Sequence, residues 1–433
     1  MKRKRYGVIL FLSIILLFLV GGRMQIAPDE LNTQTEDTQK DVVSEQISKV
    51  ETDTNIESEQ ESQTEVKPNT ESEQESQTEV KPNTESEQES QIEVKPNTEG
   101  EQESQTDTKP NVNSEIKTVT ITATGDCTLG VTQQHGYSGS FHEYYDLYGK
   151  EYFFKNFKEV FEKDDLTLIN LECVLTNSEN RVEKSFNLKG KPEYTNIMTS
   201  SFIEAVSLGN NHSADYGPES LTDTKNVLDA VGIKYAINDI VSYYTTEEGI
   251  TIGMVSASVT AWGNARDQHL LKGVKEAKDQ GADLVVACCH WGIEREYYPN
   301  EYQRNLGHQL IDAGADLVIG NHPHVLQGVE EYKGKIICYS LGNFCFGGNR
   351  NPADKNTAVY QQTFTFADDV LQTDICAKII PSRVSGYSDY NNFQPTIAQG
   401  EQASSIIEKM NEYSAPYSDI HFDKEGILVL IHE

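Results

Sequence analysis

Six strand-like segments end in short polar runs whose side chains can coordinate or hydrogen-bond. In chain order these runs are Gly125-Asp126, Asn170-Leu171-Glu172, Gly209-Asn210-Asn211-His212, His290-Trp291-Gly292, Gly320-Asn321-His322-Pro323-His324 and Gly342-Asn343-Phe344. Each has an ordinary reading when taken alone. Asp126 suits a helix cap, Glu172 a solvated turn, and His212 a core histidine bonded to backbone. Together they bring four histidines, two carboxylates and an asparagine to successive strand ends. That is a set of metal ligands, and imidazole mixed with carboxylate suits Zn, Mn or Fe. Glu294 reads either as a carboxylate that orients a histidine ligand or as a surface charge. Asn343, beside a strand end, either meets substrate or closes a turn, and Asn210 belongs with these supporting residues. Trp291 and Phe344 read as cleft walls or as packing residues. Cys127 adjoins Asp126, but neighbours on a strand point to opposite faces, which argues against its joining the set.

The elements that must position these groups alternate between strand and helix. Strands are expected at Thr118–Thr124, Leu166–Leu171, Ala205–Leu208, Ile250–Val255, Ala282–Cys289, Leu317–Ile319 and Ile336–Leu341. Amphipathic helices are expected at Phe154–Lys163, Thr222–Val231, Leu270–Gln280 and Glu301–Ala313. Strand with loops follows over Thr363–Pro381, then a helix at Glu401–Asn411 and a closing strand at Gly426–Ile431. This is an α/β pattern, and α/β sheets place ligands outside the carboxyl ends of their strands.

The chain has 433 residues and a formal net charge of −32, unevenly distributed. Residues 1–23 hold five basic and no acidic groups, residues 24–115 hold 25 acidic against 6 basic, and residues 116–433 keep a net charge of −18. Such a balance argues against nucleic acid as a partner, because phosphate binding needs basic patches. The start, Met1-Lys2-Arg3-Lys4-Arg5 followed by an apolar run from Tyr6 to Val20, reads as an uncleaved signal-anchor over 1–23. Residues 24–115 read as a disordered acidic linker. Within it a 14-residue unit, ESEQESQTEVKPNT in its first copies, recurs four times over 57–112 without an apolar face to bury. Residues 116–433 form the remaining domain, expected outside the cell membrane on a single-pass anchor. Seven cysteines at irregular spacing, with no CxxC pair, read mostly as small buried hydrophobes.

The ordered motifs GD at Asp126, NLE at Asn170–Glu172, GNNH at Gly209–His212, HWGIE at His290–Glu294, GNHPHV at Gly320–Val325 and YSLGNF at Tyr339–Phe344 resemble the CapA/PgsA family. That family comprises poly-γ-glutamate capsule synthesis proteins, similar to calcineurin-like metallophosphoesterases. The resemblance spans about Lys117 to Phe346. It implies a four-layer metallophosphoesterase-like sandwich, two central sheets flanked by helices, with one or two divalent ions on the strand-end loops. By resemblance, Asp126 and His324 would serve a first metal, Asn211, His290 and His322 a second, and Glu172 would bridge. His212 would protonate the leaving oxygen. One departure stands out: phosphoesterases carry a histidine two residues after the first aspartate, and here that residue is Thr128. The implied role is a membrane-anchored extracellular protein of poly-γ-glutamate capsule biosynthesis with a phosphoesterase-like site. Polyglutamate synthase subunits and the anionic polymer are the partners it implies. A non-catalytic assembly subunit, or a hydrolase of another cell-envelope phosphoester, are the alternatives.

Overall fold

The computed structural model describes residues 115–260 and 266–430. The expected anchor over 1–23 and the repeat linker, apart from Glu115, lie outside the described residues. Among the described residues no helix is long and apolar enough to cross a membrane.

Parallel strands covered on both faces are built from near-continuous apolar runs rather than alternating ones. The Leu284–His290 strand, Leu-Val-Val-Ala-Cys-Cys-His, is such a run, and all of it is buried. Its alternate positions serve two cores. Leu284, Val286 and Cys288 face the second sheet, whereas Val285, Ala287 and Cys289 pack beneath helices Asp267–Asp279 and Glu301–Ala313. The other sheet divides its residues in the same way. Val119, Ile121 and Ala123 join the core shared by the sheets, while Ile169, Leu171 and Val206 lie against Phe157, Ile197 and Leu228 on the outer side. The domain is therefore a mixed α/β sandwich.

The larger sheet has nine strands. Its main path runs Thr396–Ile397, Cys376–Arg383, Asn356–Ala367, Ile116–Thr128, Leu166–Leu171, Ala205–Ser207, Lys234–Ala236. The last four are mutually parallel. The smaller sheet has six strands in the order Val329–Tyr332, Lys335–Cys338, Leu317–Asn321, Leu284–His290, Thr251–Ser258, Ser242–Thr245. Its four central strands are parallel as well.

Register then assembles the strand ends. The antiparallel Asn356–Ala367 strand pairs with the first strand only as far as Ala123; beyond it the parallel Asn343–Phe346 strand takes over. Asp126 consequently stands in register between Asn170 on one side and Asn343 on the other. In the smaller sheet His290 stands between Ser258 and Asn321.

Gly125 permits the close approach beneath Asp126. A Cβ there would lie 2.0 Å from Gly342 O, a backbone atom with no freedom to move aside. The next residue's N–H donates to that same oxygen at 2.8 Å. We expect Gly125→Ala to cost at least the ~1–3 kcal/mol typical of overpacking and to displace Asp126. Urea melts measure the loss, and an unchanged midpoint would contradict the stated contact.

The strand expected at Leu166–Leu171 is observed with those bounds, and the helix expected at Glu301–Ala313 likewise. The segment Phe154–Lys163 departs from expectation, with only Lys158–Phe161 helical. Phe153 and Phe154 are both fully buried, and turns seat adjacent aromatics more readily than a one-sided surface helix does. The strand expected near Thr363 begins at Asn356. Six of the seven cysteines are buried, all seven are free, and Cys376 is exposed.

Candidate metal centre

The two sheets bring the polar runs to one end of the sandwich. Asp126 is buried, and its Oδ1 accepts from Asn170 Nδ2 at 2.7 Å. Its Oδ2 accepts from the His322 backbone N–H at 3.3 Å and lies 3.1 Å from His324 Nδ1. Glu172 follows the second strand, tied down by its own N–H, which donates to Cys127 O at 2.8 Å. Its side chain is fully buried, yet neither carboxylate oxygen has a hydrogen-bond partner. Three imidazole nitrogens surround Oε1: His290 Nε2 at 3.6 Å, His324 Nε2 at 3.7 Å and His212 Nε2 at 4.0 Å.

The second sheet contributes His290, His322 and His324. His290 Nε2 lies 3.1 Å from His322 Nδ1 and 2.9 Å from Asn211 Oδ1. His322 and His324 flank Pro323 with backbone φ of +98° and +58°. Left-handed backbone at non-glycine residues costs about 1–3 kcal/mol each and clusters at functional sites. In this loop it turns both rings toward the carboxylates. Asn343 holds His324 in two ways, through Oδ1 at 3.0 Å from Nδ1 and through Nδ2 donating to its carbonyl at 3.1 Å.

These side chains form three groups with donor atoms close enough to share an ion: Asp126, Glu172 and His324; Glu172, His290 and His322; and Glu294, His322 and His324. Glu172 belongs to the first two groups, and exposed Glu294 stands at the outer edge of the third. The protonation pattern suits cation binding. Burial, reinforced by the Asp126 carboxylate, pushes the Glu172 carboxyl well above its usual range. Burial and the neighbouring imidazoles hold His290 well below its ordinary value, and His322 falls to about 4 for the same reasons. Burial opposes charge on His324 too, but Glu172 and Asp126 together lift it to about 10. A cation between the carboxylates would take over the role of that proton, since metal ligands bind deprotonated. An orphaned buried carboxylate ringed by imidazoles therefore fits a divalent ion.

The other residues singled out from the sequence sort by where they point. Asn210 is a strut: its Nδ2 donates to Asn170 Oδ1 and Leu171 O, and its Oδ1 accepts from the His212 N–H. Thr128 faces neither carboxylate, because its hydroxyl donates to Glu172 O at 3.1 Å and links two strand ends. Cys127 turns into the outer core, where burial pushes its thiol up to about 12. Trp291 and Phe344 are packing residues. Trp291 donates to Tyr339 O, and Phe344 sits edge-on to Phe157. The aromatic neighbour of His324 is Phe346, at 5.3 Å between ring centroids.

Two participants, Asp215 and Lys184, went unread in the sequence, and a third, Asn170, was read only as part of a motif. Asp215 Oδ2 lies 2.7 Å from His212 Nδ1 and accepts from the Leu188 N–H, while its Oδ1 accepts from Lys184 Nζ at 2.7 Å. The three-residue step from His212 to Asp215 was a usable signal. Lys184, 31 residues away on a loop, offered none. Asn170 was visible as part of a motif, but its bond to Asp126 follows only from strand register.

Such a site on such a sandwich defines an α/β protein with a candidate metal centre at its strand ends. The profile of the bacterial capsule synthesis protein PGA_cap family matches residues 120–348, more than half of the chain, and the chain belongs to that family. The PGA biosynthesis protein CapA of Bacillus subtilis (strain 168) is 33% identical over 220 residues, covering 46% of this chain and 57% of that one. The capsule biosynthesis protein CapA of Bacillus anthracis is 32% identical over 253 residues, covering 53% and 60%. A probable polyglutamine synthesis accessory protein of Mycobacterium tuberculosis (strain ATCC 25618 / H37Rv) is 26% identical over 255 residues, covering 51% and 66%. The match thus spans less than two thirds of the length of the two CapA relatives.

Proposed function

We propose that this chain is a membrane-anchored extracellular protein of poly-γ-glutamate capsule biosynthesis, with a metal-dependent phosphoesterase-like site in a four-layer metallophosphoesterase-like domain. The family and the names of the two CapA relatives support the capsule role. One observation carries the metal site: Glu172 is fully buried with both oxygens unpartnered, and it belongs to two donor groups at once. In this reading Asp126 and His324 would hold one ion, Asn211, His290 and His322 would hold a second, and Glu172 would be available to either; Mn, Fe or Zn fits the donors. A bound divalent ion supplies a polarised phosphoryl oxygen and an acidified water. His212, steadied at Nδ1 by Asp215, presents Nε2 on the Glu172 side, where it can hand a proton to a departing oxygen. Glu294 and Asn343 orient the histidines or meet substrate at the rim.

A second reading is a non-catalytic subunit that uses the same centre to grip a polymer synthase or its anionic product. The position of Thr128 favours it, since the hydroxyl there is spent on a backbone carbonyl. Elemental analysis of the purified chain, together with hydrolysis of a chromogenic phosphodiester, separates the two. Near-stoichiometric metal with turnover supports the hydrolase, and metal without turnover supports the assembly subunit. No bound Mn, Fe or Zn after reconstitution would rule out both.

A further inference from the structure

Away from the metal donors, an open cleft of about 410 Å³ is lined by Lys355, Arg383 and Lys409, with Tyr297, Asp354 and Asn356. Three cations around one cleft are unexpected in a domain with a net charge of −18. Arg383 closes the Cys376–Arg383 strand in register with Asn356, and its Nε is buried without a hydrogen-bond partner. Among the described residues neither Arg383 nor Lys409, on the Glu401–Ser414 helix, enters an ion pair.

Lys355 is buried and donates to Asn351 and to Pro352 O. Burial, and then Arg383, lower its pKa, while Asp389 and Asp354 raise it. The Asp354 carboxylate is already engaged, with Oδ1 accepting from the Asn356 N–H at 2.9 Å and Oδ2 from Tyr297 OH at 3.1 Å. Arg383 lines the cleft and enters no ion pair among the described residues, so an incoming oxyanion would give its guanidinium the anionic partner it lacks. The planar fork of arginine matches carboxylate and phosphate alike, and the two lysines add point charge.

The cleft shares no residue with the metal donors, but two of its residues lie on segments that also reach the candidate centre. Tyr297 lies three residues beyond Glu294 on the same loop, and Asn356 O sits 3.1 Å from where a Cβ on Gly342 would stand, next to Asn343.

We propose that this cleft is an oxyanion site, built by Arg383, Lys355 and Lys409 to hold a carboxylate or phosphate group of a ligand. Its extension to a γ-linked glutamate chain rests on the capsule reading above; the oxyanion site itself does not.

The test is calorimetric titration of the full chain in EDTA with two probes, a γ-linked glutamate hexamer and inorganic phosphate. We expect one of them to bind, more weakly at higher salt, with Arg383→Gln reducing affinity about tenfold or more. Lys409→Gln, on the partly exposed helix, should reduce it severalfold and carries the test should the first variant fail to fold. Binding of the hexamer alone assigns a carboxylate ligand, and binding of phosphate alone a phosphorylated one. Binding of neither probe, or binding untouched by both substitutions, overturns the proposal. Because EDTA strips bound ions, a negative result here leaves the metal reading standing, and a failed metal analysis leaves this site standing.

Discussion

Replacing Glu172 by glutamine is expected to abolish metal binding at both donor groups while making the metal-free protein more stable. The two effects have one cause. In the native chain this carboxylate is fully buried, beside Asp126, with neither oxygen hydrogen-bonded. A buried unpartnered polar group costs about 1–3 kcal/mol, and more when charged. The amide is neutral without taking up a proton on folding, at almost the same volume, so the melting temperature should rise by roughly 2–4 °C for each kcal/mol recovered. The loss in metal affinity should be larger. Outer residues that merely orient ligands already alter affinity by about 10–100-fold, so a donor common to two groups should cost more than about 100-fold. Calorimetry with Mn²⁺ or Zn²⁺ and a thermal melt in EDTA measure both. Wild-type stoichiometry in the variant would show that these side chains are not a metal centre.

The second large effect is on pH. Without metal, the stability of the protein should peak near pH 6.5 and fall steadily toward pH 10. His324 has its folded value raised to about 10 from an ordinary value near 6.5. Its contribution is therefore complete below about pH 6.5 and is lost as pH rises through about 10. The Glu172 carboxyl, also raised, acts in the same direction: the folded chain holds that proton longer than the unfolded one, so deprotonation weakens the fold. His322, lowered to about 4, and His290, held well below its ordinary value by burial, act in the opposite sense. Both bind fewer protons folded than unfolded, so stability climbs between about pH 4 and 6.5. A bound divalent ion should flatten the alkaline limb, because it favours charged carboxylates and neutral imidazoles. Melts in EDTA and in excess Mn²⁺ across pH 5–10 test this, and a metal-free curve that stays level above pH 6.5 would contradict it.

The legible parts of the molecule were those set by local pattern. The strand expected over the apolar run Ala282–Cys289 is observed at Leu284–His290, where a parallel strand covered on both faces has no solvent side to encode. Amphipathic spacing marked the Glu301–Ala313 helix, and the structure closes its start with a reciprocal Asn300–Gln303 cap. Around Phe153 and Phe154 local pattern misled, since an aromatic-rich stretch reads as helix whether its rings seat on a helical stripe or in turns. The long Asn356–Ala367 strand was only partly visible, its pairing being set by a partner more than 200 residues earlier in the chain.

The centre divides along the same line. Its candidate donors were legible by residue type at strand ends: Asp126, Glu172, Asn211, His290, His322 and His324 can all be picked out one motif at a time. Their relations were not. Glu172 joins two donor groups, Thr128 spends its hydroxyl on a strand-end carbonyl, and Asp215 and Lys184 brace His212 through a loop with no motif of its own. The sequence by itself determined which chemical groups reach the ends of the strands, because alternation, capping and glycine placement act over a few residues. Only the tertiary structure decided which of those groups meet. Distances between side chains nearly 200 positions apart depend on strand register, on two left-handed histidines and on the packing of one sheet against the other.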